Sequence, residues 1–234
     1  MRDHFKELSK QLDPLGRKHG LSQVFNDLVS MSVCSYHRVN IQSGCTQKDE
    51  PNEKLYLSIS KTYNRNELNT FAKAMGELTR AAHDHPYSDI LGRYFTENVT
   101  NGHNGQFFTP EPICDLMAQL TAGKEPVEHK TVLDPAVGSG RLLMSFAKRN
   151  PMNRFYGADA SNLCAQMTVL NMFLNGMQGE VAHMNSLSMS WYKGWEVNMN
   201  GLGIEPIEKE RSQIWKSPEQ LNRPGPPVGQ LVLF

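Results

Sequence analysis

The spacing of apolar positions predicts two helices within residues 4–30. Phe5, Leu8, Leu12 and Leu15 recur at helical intervals, and Val24, Phe25, Leu28 and Met31 do so again after Ser22, a residue suited to an N-cap. Gly16 and Gly20 mark the break between them. The stretch RVNIQSGCTQKDEPNEKL (38–55) is polar and rich in turn formers, which predicts a loop. Helical spacing returns at Leu68, Phe71, Met75 and Leu78, then in a short segment after Ser88 that carries Ile90, Leu91 and Tyr94. Residues 1–100 are therefore expected to form a helical module.

From about residue 103 short apolar runs alternate with helical patterns, the mark of a parallel sheet with helices on its faces. A helix with Ile113, Leu116, Met117 and Leu120 is predicted from Pro110–Pro112 to Gly123. It is followed by a strand (131–135), a helix (139–148), a strand (154–159), a helix (161–175) closed by Gly176, and a strand near 180–183. The class is α/β, with this second domain over residues 101–204. Periodicity fades after Trp195, and residues 217–229 (SPEQLNRPGPPVG) hold too much Pro and Gly to fold alone, so 205–234 reads as a tail.

Composition removes several functions. In 234 residues, 24 Lys and Arg balance 24 Asp and Glu, which argues against holding nucleic acid by bulk charge. No apolar run approaches the roughly 20 residues of a membrane span, and the MRDHFKELSK start lacks the apolar region of a secretory signal. A cytoplasmic location is the expectation. Cys34, Cys45, Cys114 and Cys164 form no CxxC pair, and Cys34, His37 and Cys45 lack a fourth ligand at matching spacing. Reduced, mostly buried thiols and no metal are expected.

The candidate chemistry lies in TVLDPAVGSGRLL. A strand ends at Asp134, the chain turns through Gly138 and Gly140, and a helix opens. Glycines let backbone pass close to a bound molecule, while the strand-end carboxylate and the first helical amides face the crevice beyond the strands. A dinucleotide fingerprint would need a third glycine, and Arg141, Leu142 and Leu143 follow instead. Asp159 closes the next strand, about 20 residues on, where an acid accepts hydrogen bonds from ribose hydroxyls. These features point to a nucleoside-bearing cofactor without pyrophosphate. The plain alternative is a tight turn in which Asp134 and Asp159 only cap their neighbours.

GQFFTP (105–110), DPAVGSG (134–140) and FYGADAS (155–161), in this order and spacing, resemble the amino-methylating DNA methyltransferases, in particular the modification subunits of type I restriction-modification systems. The resemblance covers roughly residues 85–185. It implies a shortened Rossmann-like methyltransferase sheet, S-adenosylmethionine as cofactor, and adenine in DNA as substrate. Carried over by position, it makes Phe107, Phe108, Thr109 and Pro110 a wall on the cofactor. Asp134, Pro135, Ala136, Gly138 and Gly140 lie under its methionine and ribose, Asp159 is on the ribose hydroxyls, and Asn185 stands where an Asp usually meets the adenine ring. The bland reading of Phe107 and Phe108 is ordinary core.

The pattern then departs from the family. An Asn or Asp, two prolines and an aromatic normally follow the fourth strand and grip the flipped base. WYKGWEVNMNGLGIEPIEKE, taken as that region, has no such tetrapeptide, and Pro226 with Pro227 lies between Gly225 and Val228. Asn198 and Asn200 are substitute catalytic candidates, and Trp191, Tyr192 and Trp195 candidate stacking groups. Aromatics at this density more commonly close a sheet edge. Two classes stay open: a DNA adenine methyltransferase with an unorthodox or partner-supplied step, and a cofactor-binding accessory chain without turnover. A small-molecule methyltransferase rests on fold analogy alone. Implied partners are DNA, a second copy of the chain, or a further methylase or specificity subunit.

The segment Gln230, Leu231, Val232, Leu233 and Phe234 follows a Pro/Gly linker and resembles the pentapeptide that bacterial replication and repair proteins dock on the sliding clamp. That resemblance makes Gln230, Leu231, Leu233 and Phe234 clamp-binding residues and implies a bacterial, phage or plasmid origin. The structural alternative is a strand added to the chain's own sheet edge.

Overall fold

A computed structural model describes residues 2–38, 50–100, 108–123, 125, 127–215 and 230–232. The helical part comprises α1 (His4–His19), α2 (Leu21–Ser35), α3 (Glu50–Ser60), α4 (Arg65–Asp84) and the short α5 (Ile90–Tyr94), which runs into a π-helical turn, Phe95–Val99. Gly20, with a positive φ of 88°, separates α1 from α2. The loop expected over 38–55 ends sooner, because Glu50 and Glu53 place negative charge in the first turn of α3. Helix α4 begins in a full capping box: Asn64 accepts from the Glu67 amide, and Glu67 accepts from the Asn64 amide.

The α/β part follows with α6 (Glu111–Ala122), β1 (Thr131–Asp134), α7 (Arg141–Ala147), β2 (Arg154–Asp159), α8 (Asn162–Leu174), β3 (Gln178–Asn185), β4 (Ser190–Val197), β5 (Ile204–Pro206) and β6 (Gln230–Val232). The sheet order is β5-β4-β3-β2-β1-β6. Strands β6, β1, β2 and β3 are parallel, whereas β4 runs antiparallel to β3 and β5 antiparallel to β4. Phe155–Ala158 of β2 are buried without a break, as expected of a parallel strand covered on both faces. Helix α8 is buried from Cys164 to Phe173 because β2 and β3 lie on one side and α2 on the other. One apolar cluster runs from Leu8 and Phe25 through Leu143, Phe155 and Leu170 to Trp195 and Ile204, so helical part and sheet share a core. Cys114 and Cys164 are buried within it, and Cys34 is buried as well.

Three further expectations change. Periodicity fades after Trp195, but β4 and β5 are formed; their alternation is hidden because Gly194, Trp195 and Val197 are buried while Tyr192 and Lys193 are exposed. Residues 205–215, expected in the tail, pack on the sheet instead. Ile214 and Trp215 cover Ala158, Ala182 and Met184, and the Ser212 hydroxyl donates to buried Glu180 at 2.8 Å. The segment expected to stand free for a clamp contains β6, whose Gln230, Leu231 and Val232 pair with Thr131, Val132 and Leu133. The open backbone edge of β1 supplies the ladder partners that a free tail would lack. Leu233, Phe234, Cys45 and residues 216–229 lie outside the described residues. No helix among the described residues is long and apolar enough to cross a membrane.

Candidate functional site

Parallel pairing of β1, β2 and β3 brings Asp134, Asp159 and Asn185 to one edge of the sheet. Asp134 is opposite Gly157, and Asp159 opposite His183. With β2 on one side of β1 and β6 on the other, this edge includes the point where strand order reverses, the usual ligand crevice of an open α/β sheet. The turn from β1 to α7 is built there. Gly138 has φ of 57° and Gly140 of 83°, left-handed values that side chains with a Cβ resist. A Cβ on Gly138 would stand 2.9 Å from the Phe108 ring, so the turn and that ring pack closely.

The two carboxylates are tied into this turn without being used up. Asp159 accepts from the Gly138 amide at 2.9 Å and the Ser161 amide at 2.8 Å, one bond to each oxygen. Each oxygen keeps acceptor capacity, and the side chain is half-buried. Asp134 accepts from the Ala136 amide at 3.0 Å. Burial, with the Asp159 carboxylate close by, pushes Asp134 up to about 7, against the pull of that amide. Burial also raises Asp159, opposed by the Ser161 and Gly138 amides and by His183. The edge therefore holds latent negative charge that a cation would draw out.

The other expected residues divide. Phe108 is half-buried, with Phe95 at 5.6 Å between ring centroids and the Arg141 guanidinium 5.9 Å from its own. The Thr109 carbonyl accepts from Arg141 Nη1 at 3.0 Å, and Pro110 caps α6. The Pro135 carbonyl accepts from the Ser186 hydroxyl at 2.7 Å, drawing the end of β3 toward the turn. Asn185 uses its side-chain carbonyl on the Leu187 and Ser188 amides, both at 3.0 Å. Phe107 lies outside the described residues.

Asn198 is a correction. It follows β4, whose Val197 pairs with Gly179 at the start of β3, so it lies at the opposite edge of the sheet. There it is consumed by the fold: Nδ2 donates to the Met177 carbonyl at 3.0 Å, and Oδ1 accepts from the Gly203 amide at 3.1 Å. Asn200 sits in the same turn. Trp195 is a core residue, while Trp191 closes the smaller cluster with Trp215. Tyr192 alone of the three aromatics is well exposed, 4.7 Å from the His183 ring near the carboxyl edge. The region searched for the tetrapeptide is thus an antiparallel hairpin outside β3. The strand beside β1, the fourth position in doubly wound order, is β6.

Asp89 was missed. It is buried, and its carboxylate receives four donors from three elements around the glycine turn. The only sequence signal is an Asp ahead of ILG, which reads as a helix cap.

A mostly parallel sheet with a glycine turn and two carboxylates at its carboxyl edge defines the class: an α/β protein with a crevice where its strand order reverses. The N-6 DNA Methylase family matches residues 84–202, half of the chain, including the glycine turn, Asp134, Asp159 and Asn185, and the chain belongs to that family. It is 24% identical to the type I restriction enzyme MpnII methylase subunit of Mycoplasma pneumoniae, over 95% of this chain and 40% of that protein. It is 32% identical to the type I restriction enzyme MjaVIII methylase subunit of Methanocaldococcus jannaschii, over 47% of this chain and 19% of that one. The chain thus spans well under half the length of these relatives. A solved type I methyltransferase subunit from Streptococcus thermophilus aligns with 74% of this chain and 55% of its own at 14% identity and a TM-score of 0.40.

Proposed function

We propose that this chain binds S-adenosylmethionine at the carboxyl ends of β1 and β2 and serves as the cofactor-holding part of an adenine-specific DNA methylase. The observation that carries this is the pairing of Asp134 and Asp159 around the Gly138–Gly140 turn, inside the family-matched segment. The donor set suits the cofactor. Its two ribose hydroxyls need acceptors, which Asp159 retains, and its cationic methionine end favours an ionised Asp134. When bound, it supplies an electrophilic methyl group.

In this reading Asp159 orients the ribose. Asp134 gives up its proton to meet the cationic end, and Phe108 excludes water from the face of the turn. Gly138 and Gly140 let the turn take positive φ and close against Phe108 and Thr168, which brings backbone to the crevice. DNA and at least one further methylase or specificity subunit are the proposed partners, because the relatives are subunits by name and much longer. A neutral chain gains DNA proximity through such a partner better than through its own charge. Calorimetric titration with S-adenosylmethionine tests the binding, and transfer of labelled methyl to adenine in DNA tests the reaction. A chain that takes up neither the cofactor nor its demethylated product overturns the proposal.

A further inference from the structure

Asp89 precedes α5, in the helical part, yet its carboxylate sits on the cofactor turn. Oδ1 accepts from the Gly92 amide at 2.8 Å and from Asn171 Nδ2 at 3.0 Å. Oδ2 accepts from the Ser139 hydroxyl at 2.5 Å and from Arg141 Nε at 2.9 Å. Asn171 also donates to the Ser139 carbonyl at 2.8 Å, and Arg141 reaches on to the Thr109 carbonyl. One buried anion thus joins α5, α7, α8 and the chain entering α6. The site admits nothing larger: a Cβ on Gly92 would collide with the Asp89 carboxylate and the Ser139 hydroxyl.

A carboxylate this buried is tolerable only with its acceptor sites filled, and here both oxygens are doubly occupied. Two of the four donors, Ser139 and Arg141, flank Gly140 itself. We propose that Asp89 is a positioning residue for the cofactor: it fixes the Gly138–Arg141 backbone in its ligand-ready form, so the helical part sets cofactor affinity without touching the cofactor. This deepens, and rests on, the reading of the turn as the S-adenosylmethionine site.

Asp89→Asn separates positioning from folding. Its carbonyl still serves Gly92 and Asn171, while its amide nitrogen cannot accept from Arg141. The expected result is an S-adenosylmethionine Kd raised about tenfold and faster amide hydrogen exchange confined to residues 136–141, with β2 and β3 protected as before. Ser139→Ala, which loses one bond, should raise Kd about threefold. The double variant should bind more weakly than Asp89→Asn alone, since the introduced amide nitrogen can still donate to the Ser139 hydroxyl and Ser139→Ala removes that separate bond. Unchanged exchange at 136–141 in folded Asp89→Asn overturns the proposal, as does acceleration spread evenly over the sheet. If Asp89→Asn does not fold, Ser139→Ala decides by the same exchange pattern. If the unmodified chain binds no cofactor, the functional reading fails, and the exchange pattern still rules on Asp89.

Discussion

The two edges of the sheet use polar side chains in opposite ways. At the amino edge of β3, Asn198 is 5% exposed and spends its amide on the Met177 carbonyl and the Gly203 amide, holding the β4–β5 turn to the end of α8. At the carboxyl edge, Asp134 and Asp159 are also bonded to backbone, but each oxygen involved takes one amide and keeps capacity for a second donor. The difference teaches that polarity alone does not mark a site. What distinguishes the carboxyl edge is a pair of ionisable acids with acceptor capacity left over, in a place where burial has made their charge costly.

The largest expected effect breaks the carboxyl edge alone. Gly138→Val puts a β-branched residue at a positive φ and drives its Cβ into the Phe108 ring. Calorimetry should show cofactor affinity reduced more than about 100-fold, because the turn must open or Phe108 must leave. Affinity within threefold of the unmodified chain would remove the turn from the site.

Next comes the amino edge. Asn198→Ala loses the bonds to Met177 and Gly203 and a longer one from Nδ2 to the Phe173 carbonyl at 3.5 Å, and retains a φ of 55° that only Gly or Asn adopts readily. Unfolding in urea should become easier by about 2–3 kcal/mol, and Asn198→Gly should recover about 1 kcal/mol of this by relieving the backbone. Cofactor affinity should stay as it was in both. A loss of affinity without loss of stability would mean that the two edges are not independent. Asp159→Ala is the counterpart: about 1–3 kcal/mol of cofactor binding, or roughly 5- to 150-fold in Kd by titration, with a smaller cost in stability.

The carboxyl edge was legible in the sequence because its signals are local. A strand-end acid, two glycines and a second acid one βα unit later lie within 26 residues, from Asp134 to Asp159, and β2 was bounded to the residue. The amino edge was not, because its meaning depends on strand direction. WYKGWEVNMN looks like the continuation of a parallel fold until pairing of Gly179 with Val197 reverses it. Asp89 was illegible for the same reason: its partners Ser139, Arg141 and Asn171 are 50 to 82 residues away, and only the fold assembles them.

A pH series sharpens the comparison further. Asp134 holds its proton more tightly folded than unfolded, since burial lifts it to about 7. Folding then takes up a proton between about pH 4 and 7, so this group's contribution to stability declines as pH rises through that window and is flat above it. A cationic ligand favours the ionised form, so binding should release the proton and grow about tenfold stronger from pH 6 to 8. Asn at position 134 should abolish the slope. An affinity independent of pH in the unmodified chain would place the ligand's cation away from Asp134.

The smallest expected effect concerns β6, which flanks the carboxyl edge and competes with the sliding-clamp resemblance of the same residues. Pairing of Gln230, Leu231 and Val232 with β1 satisfies backbone groups that would otherwise face water at a sheet edge. Exchange of protein for water partners makes each such bond modest, so deleting residues 230–234 should lower the unfolding free energy by about 1 kcal/mol. That is roughly a fivefold shift in the folding equilibrium. A clamp can take the segment only after it leaves β1, so clamp affinity is divided by every factor by which β6 is favoured. The two uses are therefore separable in one pair of measurements, urea unfolding and a fluorescence titration with a bacterial clamp. A stability loss on deletion, with equally weak clamp signals from both chains, is the outcome expected of a strand. Unchanged stability, with clamp binding lost on deletion, would remove β6 from the sheet and leave the carboxyl edge bounded by β1 alone.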